Sequence, residues 1–159
     1  MASVVQLTHA GSLADRSVIG RRQVAPSAVF NPAGLDWPRA MDESDLRRVV
    51  TSFGEAAALA LRCGFDAVQV HAGHGYLLSQ FLSPRTNRRT DRYGCRSTAD
   101  RCRLVLEICE EVRRRVGPLV PIVVKANLTD GVGGAADTCG LVGRPFSHWS
   151  AAGGPLGRV

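Results

Sequence analysis

The sequence predicts an α/β fold, a parallel sheet of about three strands connected by two long helices. Three observations predict it. Short apolar runs recur at residues 3–9, 66–71 and 121–125, each of strand length and each closed by polar groups. Between them lie two stretches whose apolar residues return at helical spacing, so the order strand, helix, strand, helix, strand spells consecutive βα units. Each run also ends in a group able to do chemistry: Gln6 with His9, then His71, then Lys125. Working residues of parallel α/β folds gather at the carboxyl ends of strands, so these tips are expected to share one rim.

Taken in order, Ser3 to His9 reads as a buried parallel strand. From Ala10 to Met41 no periodicity holds, and Gly11, Gly20, Pro26, Pro32, Gly34 and Pro38 mark it as a long loop. A loop of this length inside a compact domain is functional or disordered, and its position after Gln6 and His9 predicts one folded over a site. Asp42 to Asp45 supply an N-cap and an acidic first turn, after which Leu46, Val49, Val50, Phe53, Ala57, Ala60 and Leu61 recur at helical spacing. Gly64 stops this helix. The central strand follows from Asp66 to His71 and empties into a glycine-rich loop. Ser97 or Thr98 caps a second helix whose stripe is Val105, Ile108 and Val112, ending near Arg115. Pro121 to Lys125 is the third strand.

Composition excludes several classes of function. At 159 residues, with 45% hydrophobic and 21% charged content, the chain is ordinary for a globular domain, and no apolar run approaches the ~20 residues of a membrane span. The amino terminus shows no basic start followed by an apolar core, so no secretory signal is expected. Five cysteines without a Cys-x-x-Cys pair argue against a disulfide framework and against a zinc or iron–sulfur site, and a reducing, cytoplasmic setting is expected. The formal charge of +6 and the arginines at 85, 88, 89, 92 and 96 around Tyr93 invite a nucleic-acid reading. No helix-turn-helix, zinc-finger or RNP pattern aims them, so a solvated loop is expected and nucleic acid is not.

The chemistry concentrates in His71-Ala72-Gly73-His74-Gly75-Tyr76. Two imidazoles, ordinarily of pKa about 6.5, and a phenol in one short turn suit holding a polarised oxygen and giving up a proton. The imidazoles are also spaced as metal ligands or as structural hydrogen-bonding groups would be. With no Glu between them and no acidic or Cys partner nearby, no metal is expected. Lys125, the one lysine of the chain, closes an apolar strand; it is either a cation aimed at a ligand or a side chain reaching out from the strand end.

The segment HAGHGYLLSQFLSPRTNRRTDRYG and the earlier Gln-Leu-Thr-His-Ala-Gly resemble the Old Yellow Enzyme family, FMN-dependent NADH:flavin oxidoreductases and ene reductases built on a (β/α)8 TIM barrel. The resemblance implies FMN as cofactor, NAD(P)H as reductant and an electron-poor alkene or enone as substrate. It implies that His71 and His74 bind the carbonyl or nitro oxygen and that Tyr76 donates the proton. It places Gln6 on the pyrimidine edge of the flavin and Lys125 near its N1 and C2 oxygen, with His71 also at the cofactor.

The likeness runs from about residue 3 to residue 134. It implies a partial barrel over residues 1–134, with strands like the family's third, fourth and fifth, followed by an irregular Gly-rich tail over 135–159 of a truncated or frame-shifted product. The phosphate of a barrel cofactor usually lies after strands 7 and 8, so the strongest FMN anchor is expected to be missing. The stretch Tyr93-Gly94-Cys95-Arg96-Ser97-Thr98 is one residue longer than the family's pattern, which rotates the next helix by about 100° unless the loop absorbs it. Two open edges of parallel strands are expected to favour self-association. The alternative to the enzyme is a catalytically inactive fragment that does not retain flavin.

Overall fold

The computed structural model of the chain describes residues 1–32 and 35–127. In chain order it has β1 (Val4–Leu7), a 3-10 turn at Gly11–Leu13, α1 (Arg16–Ile19), β2 (Val24–Ala25) and β3 (Arg39–Ala40). Then come α2 (Glu43–Arg62), β4 (Ala67–Ala72), α3 (Leu77–Leu82), α4 (Thr98–Val116) and β5 (Ile122–Ala126). The strands β1, β4 and β5 form one sheet in the order β1-β4-β5, and both pairings are parallel. The expected Gly-rich tail lies outside the described residues.

Successive side chains of a strand point to opposite faces, so the sequence divides the sheet into two surfaces. One carries Val68, Val70 and Ala72, all buried, with Val5, Leu7, Ile122 and Val124 packed around them. Against this face lie Leu46, Val49, Phe53 and Ala57 of α2, and Leu104, Val105, Ile108 and Val112 of α4. Each fully buried Leu, Ile or Phe here contributes about 1.5–3 kcal/mol relative to exposure. The opposite face carries Val4, Gln6, Gln69, Val123 and Lys125. Val4 is 53% and Val123 44% exposed, so this face is open there, whereas Ala67 and His71 on the same face are buried.

The helix ends follow the sequence closely. Asp42 accepts the Asp45 amide N–H at 2.9 Å, and Asp45 accepts the Asp42 amide N–H at 3.1 Å, a reciprocal cap that satisfies two otherwise orphaned donors. Ser97 caps α4 by accepting the Asp100 amide N–H at 3.0 Å. Leu104, Val105, Ile108 and Val112 all face the core, so the apolar stripe of α4 is turned to the sheet.

Two expectations need correction. The stretch from Ala10 to Met41 is not an unbroken loop: β2 and β3 pair in parallel, and Asp15 caps α1 by accepting the Ser17 amide N–H at 2.8 Å. Elements of two and four residues are too short to show a period. The glycine-rich loop after β4 likewise contains α3, whose six residues are all buried. Leu77, Leu78, Ser79, Gln80, Phe81 and Leu82 show no amphipathic alternation because nothing in that helix faces water.

Arg85, Arg88, Arg92 and Arg96 are exposed, as a solvated loop requires, while Arg89 is partly buried and anchors it. Arg89 Nη1 donates to the Met41 carbonyl at 2.6 Å and the Pro26 carbonyl at 3.0 Å, tying the 10–41 segment to the segment after α3. Asn87, 2% exposed, donates to the carbonyls of Phe81 at 2.8 Å and Tyr93 at 2.7 Å. Its Oδ1 accepts the Arg89 amide N–H at 3.1 Å. Arg92 lies over the Tyr93 ring at 5.0 Å, and the Tyr93 hydroxyl donates to Glu107 at 2.9 Å. Arg89, Asn87 and Tyr93 thus organise a loop whose other arginines face solvent.

Candidate functional site

Strand β4 ends at Ala72, one residue beyond His71, and the chain then turns sharply. His74 has φ 55° and Gly75 φ 74°, a left-handed stretch that glycine adopts freely and histidine at a cost. Gly73 passes so close to β5 that a Cβ there would stand 2.7 Å from the Asn127 Oδ1. Tyr76 then begins α3. The turn folds three rings together: His71 and His74 centroids lie 5.0 Å apart, and His71 meets Tyr76 edge-on at 5.4 Å. The structure thus brings together the residues that the sequence placed in one site.

His71 is 2% exposed and its Nδ1 has no hydrogen-bond partner among the described residues. Burial first, then the charges of His74 and Lys125, lower its pKa below the ordinary 6.5. A buried imidazole kept neutral offers one N–H to donate and one lone pair to accept. An unpaired polar atom in such a place is costly, which marks it as a position for a ligand contact. His74, by contrast, is exposed. It flanks a cavity of about 450 Å³ shared with Ser79, Gln80 and Asn127.

Register places the remaining candidates. Gln6 is level with Gln69, and His71 is level with Lys125. Gln69 and His71 are two apart on one strand, so Gln6, Gln69, His71 and Lys125 all stand on the sheet face opposite the helices. Gln6 Nε2 donates to Gln69 Oε1. Gln69 is the member the sequence reading missed; a lone amide inside the apolar run Ala67-Val68-Gln69-Val70 was the available signal. His9, by contrast, is turned inward: its Nδ1 accepts the Gly11 amide N–H at 3.0 Å, and burial, then Arg21, lowers its pKa.

This face suits a flat ring with donors and acceptors on one edge and negative charge when reduced. The Gln6 and Gln69 amides offer both polarities, Lys125 a cation, and His71 its unpartnered Nδ1. No group of three or more His, Cys, Asp or Glu able to hold a metal occurs among the described residues. None of the described helices is long and apolar enough to cross a membrane.

A parallel β/α layer with its polar strand tips on one face is a piece of a (β/α)8 barrel. The model of the NADH:flavin oxidoreductase / NADH oxidase family matches residues 2–139, and the chain belongs to this family, the Old Yellow Enzyme group. It is 45% identical over 108 residues to an NADH:flavin oxidoreductase of Gibberella zeae, covering 67% of this chain and 26% of that protein. Among solved structures it is similar to the old yellow enzyme homologue from Zymomonas mobilis, with TM-score 0.75 and 32% identity over 84% of this chain and 39% of that one. It is also similar to morphinone reductase in complex with tetrahydroNAD, with TM-score 0.74 and 32% identity over 86% of this chain and 42% of that one. The chain therefore spans between about a quarter and two fifths of these relatives. The family takes its name from NADH and flavin, and the morphinone reductase structure holds tetrahydroNAD.

Proposed function

We propose that this chain is the substrate-binding portion of an FMN-dependent NAD(P)H oxidoreductase acting on electron-poor alkenes such as enones, with residues 1–134 as its barrel portion. The observation that carries the reading is the unpartnered Nδ1 of buried His71, set between the amide and cation pair on its own sheet face and the His74 and Tyr76 rings beside it. The chemistry that FMN would supply here is hydride transfer to the β-carbon of the alkene, with NAD(P)H as the source of electrons. The chain's own residues do the rest. Gln6 and His71 hold the polar edge of the flavin ring, and Lys125 balances negative charge there. His71 and His74 donate to the substrate carbonyl or nitro oxygen, drawing electron density from the β-carbon and stabilising the enolate-like oxygen as it forms. Tyr76 would deliver a proton to the α-carbon.

The described cysteines are free thiols, with burial raising Cys102 to about 11 and Cys109 to about 12. Such thiols are inert, and the set supports a reducing, cytoplasmic setting. The second reading, a fragment that carries these residues without retaining flavin, is favoured by one observation: the chain spans 42% or less of the solved relatives it matches. One experiment separates them. Purified chain is titrated with FMN while flavin fluorescence is followed, then supplied with NADPH or NADH and 2-cyclohexenone. Saturable quenching followed by enone-dependent oxidation of the nicotinamide supports the enzyme. Flavin fluorescence unchanged throughout the micromolar range leaves the fragment.

A further inference from the structure

Gln80 lies on α3, one helical turn beyond Tyr76, and is 3% exposed. Both ends of its amide are used. Nε2 donates to the Gly75 carbonyl at 2.6 Å, and Oε1 accepts the Ser12 amide N–H at 3.2 Å. Gly75 is the residue between His74 and Tyr76, so the first bond grips the middle of their turn. The second ties that turn to the loop leaving β1.

The surroundings are shaped to admit this amide. Gly11 has φ +62°, and a Cβ there would stand 2.6 Å from Gln80 Oε1. A second bond works in parallel, the Leu77 amide N–H donating to the His9 carbonyl at 2.9 Å. The turn needs such support because His74 holds a left-handed backbone that is strained for a non-glycine residue. No other side chain of this size can bridge the same two points. Glutamate would set a carboxylate oxygen against the Gly75 carbonyl, and methionine would offer neither donor nor a good acceptor.

We propose that Gln80 is a positioning residue for the His74 and Tyr76 pair, locking their turn against the loop that follows β1 through the Gly75 carbonyl. Both ends of its amide are spent on Gly75 and Ser12, so its action on the site runs through the turn. The proposal takes its functional meaning from the roles proposed for His74 and Tyr76, yet its test needs no flavin and no alkene.

The test is NMR of the imidazole resonances of the full chain, free of ligand, in the wild type, Gln80→Met and Gly11→Ala. In both variants the His74 resonances should move. The His71 titration midpoint should rise toward that of a free imidazole as its ring loses cover. The double variant should change these values no more than the larger single change, since both substitutions break one link. Folded Gln80→Met protein with the wild-type His71 titration and unmoved His74 resonances overturns the proposal, as do fully additive effects. Should Gln80→Met fail to fold, Gly11→Ala decides by the same readouts. Displaced imidazoles in a chain that never takes up FMN would leave the positioning role intact and defeat the enzymatic reading. FMN uptake with unmoved imidazoles would do the reverse.

Discussion

His71 and Lys125 stand at the same level of neighbouring parallel strands, on one face of the sheet, so a buried imidazole is held beside a cation. His71 resists protonation. Burial is the larger cause, with His74 and Lys125 adding to it.

The consequence is a stability that depends on pH. Because the folded pKa of His71 is lowered, the unfolded chain takes up a proton near pH 6.5 that the folded chain still refuses. Stability from this group is therefore fully present above about pH 6.5. It falls as the pH drops from there toward the lowered folded value. His9 is shifted in the same direction and adds to the slope. Urea midpoints measured from about pH 7.5 down to about pH 5 should decline, and His71→Asn should flatten part of that decline. A wild-type midpoint that holds level over this window would contradict the burial of a neutral ring.

Asn87 offers a test of the segment after α3. Its side chain satisfies the carbonyls of Phe81 and Tyr93 and the amide N–H of Arg89 from a buried position. Asn87→Ala leaves those groups without partners, so it should cost about 2–3 kcal/mol in urea unfolding. Arg88→Ala, at an exposed residue whose Nε reaches only the Arg85 carbonyl at a long 3.4 Å, should change stability by less than about 0.5 kcal/mol. Equal effects at the two positions would mean the segment is not organised around Asn87.

Much of this was legible in the chain because its signals are local. Asp42 and Ser97 announced the two long helices, and Ala67 to His71 announced the central strand by β-branched apolar content. The polar tips Gln6, His71 and Lys125 sit on one face because strand alternation and parallel register leave them no other choice. What escaped the sequence lacked a period. A two-residue ladder such as Val24–Ala25 with Arg39–Ala40 carries no pattern, and α3 is buried all round. Gln69 hid inside an apolar run, and Gln80 became visible only once the fold brought Gly75 and Ser12 to either end of its amide.

Lys125 carries a binding prediction. On the proposed reading it faces the electron-rich edge of the flavin, and a charge-assisted contact there contributes about 1.5–3 kcal/mol. Lys125→Met should weaken FMN binding at least about tenfold by fluorescence titration, while Lys125→Arg should keep most of it. The loss should shrink as salt is raised, because the contact is near solvent. Unchanged affinity in the methionine variant would remove Lys125 from the cofactor site.

The sheet face opposite the helices predicts how the chain behaves in solution. Val4 and Val123 are exposed there, and β1 and β5 form the outer strands of the described sheet. Outer strands with free backbone donors and acceptors template pairing with other chains, and the exposed valines add apolar area to the same contact. Sedimentation velocity of the purified chain should therefore show dimers or larger species whose share grows with concentration. Replacing both valines with lysine places charges on the associating face without touching the core on the other side, so the variant should shift toward monomer while keeping its helical circular dichroism. If the wild type instead sediments as a monomer at all concentrations and melts in one sharp cooperative step, the three-stranded layer is stable with its face bare, and association through these strands is ruled out.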